Sequence, residues 1–145
     1  MIKVTIVSAL AFICTIQVES AFGAERSKSN EVLLEQLVIN NASISPALYT
    51  LERTRQYRLP ITKDGDKKCT FGVDKFFSQI YVVQLKIGDT ILKQPPRIAI
   101  EFTKSEQAEL VFIPEHAGSY LMGCKGGPRK FRRVKVVVAE PHTAK

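Results

Sequence analysis

The residues best suited to chemistry in this chain are two cysteines, Cys69 and Cys124. Thiolates bind soft metal ions such as Cu(I), and thiols can also be oxidised. The two cysteines do not form a Cys-x-x-Cys pair, so their spacing does not support a redox-active dithiol. The sequence contains no Ser-His-Asp grouping, no pair of catalytic carboxylates and no phosphate-binding loop. We therefore predict a protein that is not an enzyme and whose chemistry is that of its thiols.

The first residues are typical of a secretory signal peptide. Residues 1–3 carry a positive charge, residues 4–18 are mainly apolar, and residues 21–23 offer a small-x-small cleavage site. The apolar run is too short and too polar for a membrane span, and no transmembrane segment is expected after cleavage. We predict a signal peptide over 1–23 and a secreted or periplasmic protein. This is an oxidising location that favours cysteine pairing.

The rest of the chain has the pattern of an all-β domain. We expect a flexible leader over 24–31, one domain over 32–140 and a tail over 141–145. Short apolar stretches are separated by turn residues, and no window sustains helical periodicity. A short helix is predicted near 74–78. The predicted strands are 33–39, 48–51, 56–61, 80–87, 98–102, 108–113, 118–124 and 134–138.

Alternation within these strands predicts which side chains face the core. Val134, Val136 and Val138 should point inward, opposite Leu121 or Met122 on the neighbouring strand. Pro60 should lie at a sheet edge or at an irregular position, because it lacks a backbone N–H.

Several segments resemble the cupredoxins. Residues 66–77 resemble the segment that delivers the first copper-ligand histidine, with Cys69 at the histidine position. Residues 118–124 resemble the Gly-x-Tyr-x-x-x-Cys strand that ends in the copper thiolate. Residues 45–59 and 76–120 carry further likenesses in the family's order. The chain also resembles the cupredoxin domain of periplasmic ferrous-iron uptake proteins, which has a cysteine in both places. The resemblance implies a Greek-key β-sandwich of seven or eight strands.

The ligand set of a blue-copper centre is incomplete in this sequence. Such a centre uses two histidines, one thiolate and a weak axial methionine. In the family, the second histidine and the methionine follow the cysteine in one loop, but residues 125–131 contain neither. The resemblance places Cys69 beside Cys124, so the principal expectation is a disulfide closing a 55-residue separation. The alternative is a copper site with Cys69 and Cys124 as thiolate ligands. Copper is therefore the candidate cofactor.

Two other residues could complete such a metal site. Met122 shares a strand face with Cys124, so its thioether is either a soft ligand for Cu(I) or part of the core. His116 precedes Cys124 by eight residues, roughly 26 Å along an extended strand. It is therefore expected at the opposite end of the sandwich, as a solvated turn residue.

Basic residues follow Cys124. They are Lys125, Arg129, Lys130, Arg132, Arg133 and Lys135, and no acidic residue intervenes before Glu140. The chain as a whole has a formal net charge of +7. This basic patch predicts an acidic periplasmic protein or an anionic membrane surface as the partner, or else simply a soluble basic face. Nucleic acid is not expected, because few aromatic residues accompany the charges.

One modification motif is present. Asn41-Ala42-Ser43 matches the acceptor sequence for N-glycosylation. The triplet is common by chance, so it has meaning only in a host that glycosylates secreted proteins.

Overall fold

The computed structural model describes residues 30–126 and 132–142, and the side chain of Arg132 is outside that description. Within this part of the chain, two mixed sheets contain twelve strands. The seven-stranded sheet comprises β1 (Val32–Leu33), β2 (Leu37–Ile39), β3 (Ile44–Ser45), β5 (Tyr57–Lys63), β7 (Ile80–Ile87), β8 (Thr90–Lys93) and β10 (Glu106–Pro114). The five-stranded sheet comprises β4 (Leu48–Glu52), β6 (Cys69–Phe71), β9 (Ile100–Phe102), β11 (Gly118–Lys125) and β12 (Arg132–Ala139).

The order of the strands brings distant segments of the chain together. The larger sheet runs β3-β2-β5-β10-β7-β8, with β1 also paired to β5, and the smaller sheet runs β4-β12-β11-β6-β9. Strands β1 and β2 run parallel to β5, and β4 runs parallel to β12. The prediction of an all-β sandwich is confirmed. The strands are more numerous than the expected seven or eight because β3 and β8 were not predicted, the stretch 33–39 divides into β1 and β2, and the strand expected to carry Cys69 and Phe71 inward, here β6, adds to that number.

The core lies between the two sheets and is formed by alternating side chains. Strand β5 buries every second residue, from Tyr57 to Lys63. On β12, Val134, Val136 and Val138 are all buried, as predicted. Val134 lies opposite Met122, which is also buried, whereas Leu121 pairs with Lys135 and is 45% exposed. The inward neighbour on β11 is therefore Met122.

Pro60 lies in the interior of the larger sheet rather than at its edge. The carbonyl of Arg58 accepts a hydrogen bond from the backbone N–H of Leu34, so Arg58 and Pro60 direct their backbone atoms toward β1 and β2. The nitrogen of Pro60 lies at the gap between the paired residues of these two short strands, so its missing N–H falls outside both ladders. Its other neighbour, Glu109 of β10, stays in regular register. The prediction of an irregular position is correct, and that of a sheet edge is wrong.

Three parts of the predicted organisation extend beyond these residues. The signal peptide (1–23), most of the leader (24–31) and the end of the tail lie outside the described residues. The short helix is present as a 3-10 turn at Lys75–Ser78. No helix in the described part of the chain has the length and apolar character of a membrane span.

Candidate functional site

Cys69 and Cys124 are brought together by two neighbouring antiparallel strands. Cys124 lies opposite Phe71 and Lys125 lies opposite Thr70, so Cys69 is diagonal to Cys124 across β6 and β11. Their Cα atoms are 5.3 Å apart and the two residues are joined by a disulfide. This separation lies within the usual Cα range for disulfides. The prediction that the two cysteines are adjacent is therefore confirmed.

The two halves of the disulfide differ in their access to solvent. Cys69 is only 2% exposed, and Phe71, two residues further along β6, is fully buried. Phe77 meets Phe71 edge-on, with ring centroids 4.9 Å apart. Cys124 is half-buried. A solvent-borne thiol or metal ion would therefore reach the pair from the Cys124 side.

Gly126 allows the end of β11 to approach the start of β6. Its φ of +137° lies in a region that L side chains rarely adopt. A Cβ at this position would lie 3.1 Å from the carbonyl oxygen of Lys68 and 3.8 Å from the Cα atom of Cys69. The absence of a side chain thus keeps the two cysteine-bearing strands in contact. The adjoining Gly127 and Pro128 lie outside the described residues.

A hydrogen bond also connects β11 to the loop that precedes the 3-10 turn. The backbone N–H of Gly123 donates a 2.9 Å hydrogen bond to a carboxylate oxygen of Asp74. Strand β11 pairs with β6 only near its end, so this contact fixes the strand just before Cys124. Sequence reasoning missed this role of Asp74, because nothing in the local pattern marks a partner 49 residues away.

Met122 is a core residue in this structure. It is 1% exposed, and it lines a space in the core shared with Leu51, Phe76, Phe112 and Val136. The thioether is thus surrounded by apolar side chains. This placement favours the core-filling interpretation over the metal-ligand one, although Met122 does share the inward face of β11 with Cys124.

The other metal-binding side chains are dispersed. His116 is exposed in the turn before β11, whereas Cys124 lies near the far end of that strand. The predicted separation of the two is therefore confirmed. Glu101 is exposed on β9, opposite Thr70. Over the described ranges, no group of three or more His, Cys, Asp or Glu residues is arranged to hold a metal ion.

The turn that follows β2 contacts the turn that follows β5 at one end of the sandwich. The second of these turns leads into β6, which begins at Cys69. The Asn41 amide donates to an Asp66 carboxylate oxygen at 2.8 Å and accepts a 3.2 Å hydrogen bond from the backbone N–H of Lys67. This hydrogen bond from Asn41 is the main cause that lowers the pKa of Asp66. Lys63 is 2% exposed, and its ammonium donates to the backbone carbonyls of Asp64 and Gly65. The charges of residues 63–66 are visible in the sequence, but nothing in it marks Lys63 as buried.

Only some residues of the basic patch belong to the described part of the chain. Lys125, Arg133 and Lys135 are exposed on β11 and β12. Arg129 and Lys130 lie outside the described residues, as does the side chain of Arg132. The described part of the patch extends from the cysteine end onto the outer face of the smaller sheet.

Comparison with protein-family models and with characterised proteins finds no match to this chain. The likeness to cupredoxins therefore depends on the segments quoted from the sequence. The geometry adds that the two cysteine positions of that likeness are adjacent in space.

Proposed function

We propose that this chain is a secreted or periplasmic cupredoxin-like domain that serves as a binding or scaffold module. In this proposal, a Cys69–Cys124 disulfide takes the place of the copper centre, and the domain has no catalytic activity. We also propose that the strands are connected in the Greek-key order that the resemblance implies. The partner is an acidic protein or an anionic membrane surface that meets the basic patch.

The observation that carries this proposal is the disulfide itself. It joins β6 and β11 where the resemblance would place a metal. Oxidised sulfurs are not thiolates, and a thiolate is what a soft metal ion binds. On the loop-entropy model, closing a loop of 55 residues contributes roughly 4 kcal/mol. This is a stabilising role that a bound metal would otherwise fill.

A second candidate function is Cu(I) binding by the reduced protein, in a metallochaperone or an electron-transfer protein. The half-exposed Cys124 favours it, because this thiol would be reachable once the bridge is reduced. The Met122 thioether lies two residues away on the same strand face. In that case, Cys69 and Cys124 would be the thiolate ligands and Met122 a third soft ligand.

Copper titration of the secreted protein separates the two functions. We expect the oxidised protein to bind no stoichiometric copper and to show no strong thiolate-to-copper absorption with Cu(II). A Cys69→Ser/Cys124→Ser variant should behave in the same way. Stoichiometric Cu(I) binding by protein purified without reductant, lost in the double variant, would replace the scaffold proposal with the copper proposal. An intense visible absorption with Cu(II) would establish a blue-copper function instead.

A further inference from the structure

We propose that the outer face of the five-stranded sheet is the docking surface, and that it binds an acidic protein segment in which apolar side chains flank the carboxylates. The surface, called here the basic sheet face, consists of Leu48, Leu121, Lys125, Arg133 and Lys135. This inference rests on the binding role proposed above and specifies its location and partner.

The centre of the basic sheet face is a row of three side chains on adjacent strands. Lys135 of β12 lies opposite Leu121 of β11 on one side and Leu48 of β4 on the other. Neighbouring strands are about 4.8 Å apart, so each leucine lies about one strand spacing from the lysine, and the two leucines lie roughly 10 Å from each other. Leu121 is 45% exposed and Leu48 is 51% exposed. Two large apolar side chains thus stand in solvent on either side of one ammonium group.

Positive charge continues from this row toward the cysteine end of the sheet. Arg133 lies two residues before Lys135 on β12, and Lys125 lies four residues after Leu121 on β11, so alternation directs all of them outward. Among the described residues, neither Lys125 nor Lys135 takes part in a salt bridge. The charge of the face therefore favours carboxylates as the complementary groups.

Acidic residues border the face. Asp74 lies beside β11, where its carboxylate accepts a hydrogen bond from the backbone N–H of Gly123. Glu101 lies on the edge strand β9, and Glu52 lies at the end of β4, where its carboxylate pairs with Arg55. The centre of the face thus keeps its positive charge.

The arrangement suits a protein better than a lipid bilayer. A carboxylate placed over Lys135 would have a leucine on each side, and apolar neighbours that exclude water strengthen a central polar contact. Binding at a membrane surface typically uses an amphipathic helix that inserts Trp, Phe or Leu side chains along one face beside basic residues. Here the leucines lie in a row across a sheet, and the chain contains no Trp. An acidic peptide with alternating apolar residues matches both the charge and the leucines.

The test uses two synthetic peptides, one alternating Glu with Leu and one alternating Glu with Ser. We expect the Glu-Leu peptide to bind more tightly and to shift the amide NMR signals of Leu48, Leu121 and Lys135. Lys125→Glu/Lys135→Glu should weaken binding about tenfold or more, since it places like charges at the contact. The matched control, Lys86→Glu/Lys93→Glu, changes two exposed lysines on the other sheet and should have an effect of about twofold at most. Leu48→Ser/Leu121→Ser should remove the preference for the Glu-Leu peptide.

Several results would overturn the docking surface. These are no binding, equal weakening by both lysine pairs, or NMR shifts spread evenly over the molecule. Tighter binding to phosphatidylglycerol vesicles, lost in the same variants, would assign the face to membranes instead. If Lys125→Glu/Lys135→Glu fails to fold, the shift map of the unaltered protein decides the question. None of these results changes the state of the disulfide, so a failure here is distinct from a failure of the proposed scaffold role.

Discussion

Asn41 joins the turn after β2 to the turn after β5 through both ends of its amide group. A hydrogen bond contributes roughly 0.5–1.5 kcal/mol to stability, and less where water competes for it, as at these two exposed contacts. We predict that Asn41→Ala lowers the free energy of unfolding in urea by about 0.5–1 kcal/mol. Asn30→Ala, at an exposed position, is the control and should change little. Equal stability of the two variants would show that the amide contacts do not hold the turns together.

The same contacts bear on the glycosylation motif. The Asn41 nitrogen that a glycan would occupy donates to Asp66 in the folded protein. Gly65 also approaches so closely that a Cβ there would lie 2.4 Å from the Asn41 side-chain oxygen. A glycan at Asn41 would therefore have to be added before folding and would displace the turn.

Asp66 gives the stability of the protein a dependence on pH. The Asn41 hydrogen bond, followed by a backbone hydrogen bond, lowers the pKa of Asp66 below the usual range of an aspartate. A carboxyl group with a lowered pKa stabilises the folded state above its unfolded pKa and loses that contribution as the pH falls through the folded pKa. We predict that Asp66→Asn reduces the loss of stability between about pH 5 and pH 2, as followed by urea unfolding at each pH. An unchanged pH profile would show that Asp66 does not contribute.

Substitutions of Met122 can show whether its side chain serves core packing or metal binding. It is buried among apolar side chains, and a swap that conserves volume usually costs less than about 1.5 kcal/mol. We predict that Met122→Leu retains nearly full stability, whereas Met122→Ala loses about 2–5 kcal/mol. Thermal unfolding with and without Cu(I) measures both effects. A copper-dependent stabilisation that Met122→Leu removes would instead identify the thioether as a ligand.

At the scale of elements, Gly126 controls the contact between β6 and β11. A side chain there requires a backbone conformation that costs about 1–3 kcal/mol, and it presses on the carbonyl of Lys68. Gly88, in the turn between β7 and β8, is the matched control, because its φ is also positive but nothing lies within 4 Å of an added Cβ. We predict a larger loss of stability for Gly126→Ala than for Gly88→Ala. Similar losses would show that the close approach of β6 and β11 does not depend on the glycine.

The elements differ in how well the sequence predicts them. The strands with strict alternation, such as β5 and β12, were predicted because one face of each is buried. Strand β8 was missed because all four of its residues are exposed, so its composition carries no periodic signal. Strand β3 is two residues long, too short for a pattern to emerge, whereas the spacing of Cys69 and Phe71 on β6 already predicts that both face inward.

The candidate site was predictable only in part, for a related reason. The adjacency of Cys69 and Cys124 was expected from a resemblance, and the structure agrees with it. The row of Leu48, Lys135 and Leu121 was not expected, because it depends on the register of three strands from distant parts of the chain. Local alternation predicts which face a residue occupies, but not which residue lies beside it.

At the scale of the whole molecule, we propose that a disulfide closes the sandwich at the position where the cupredoxin resemblance would place a metal. The bridge links the short strand β6 to β11, which is the central strand of the smaller sheet. Two observations agree with this claim. One cysteine is almost fully buried, and the Met122 thioether packs in the core.

The most direct test is peptide mapping by mass spectrometry of the secreted protein, alkylated under denaturing conditions with and without prior reduction. We predict one linked peptide that contains Cys69 and Cys124 and is two hydrogens lighter than the sum of the free peptides. Both residues should be alkylated only after reduction. Full alkylation of both cysteines without reductant would contradict this prediction. Stoichiometric Cu(I) binding by that same unreduced protein would then assign the two thiols to a metal site.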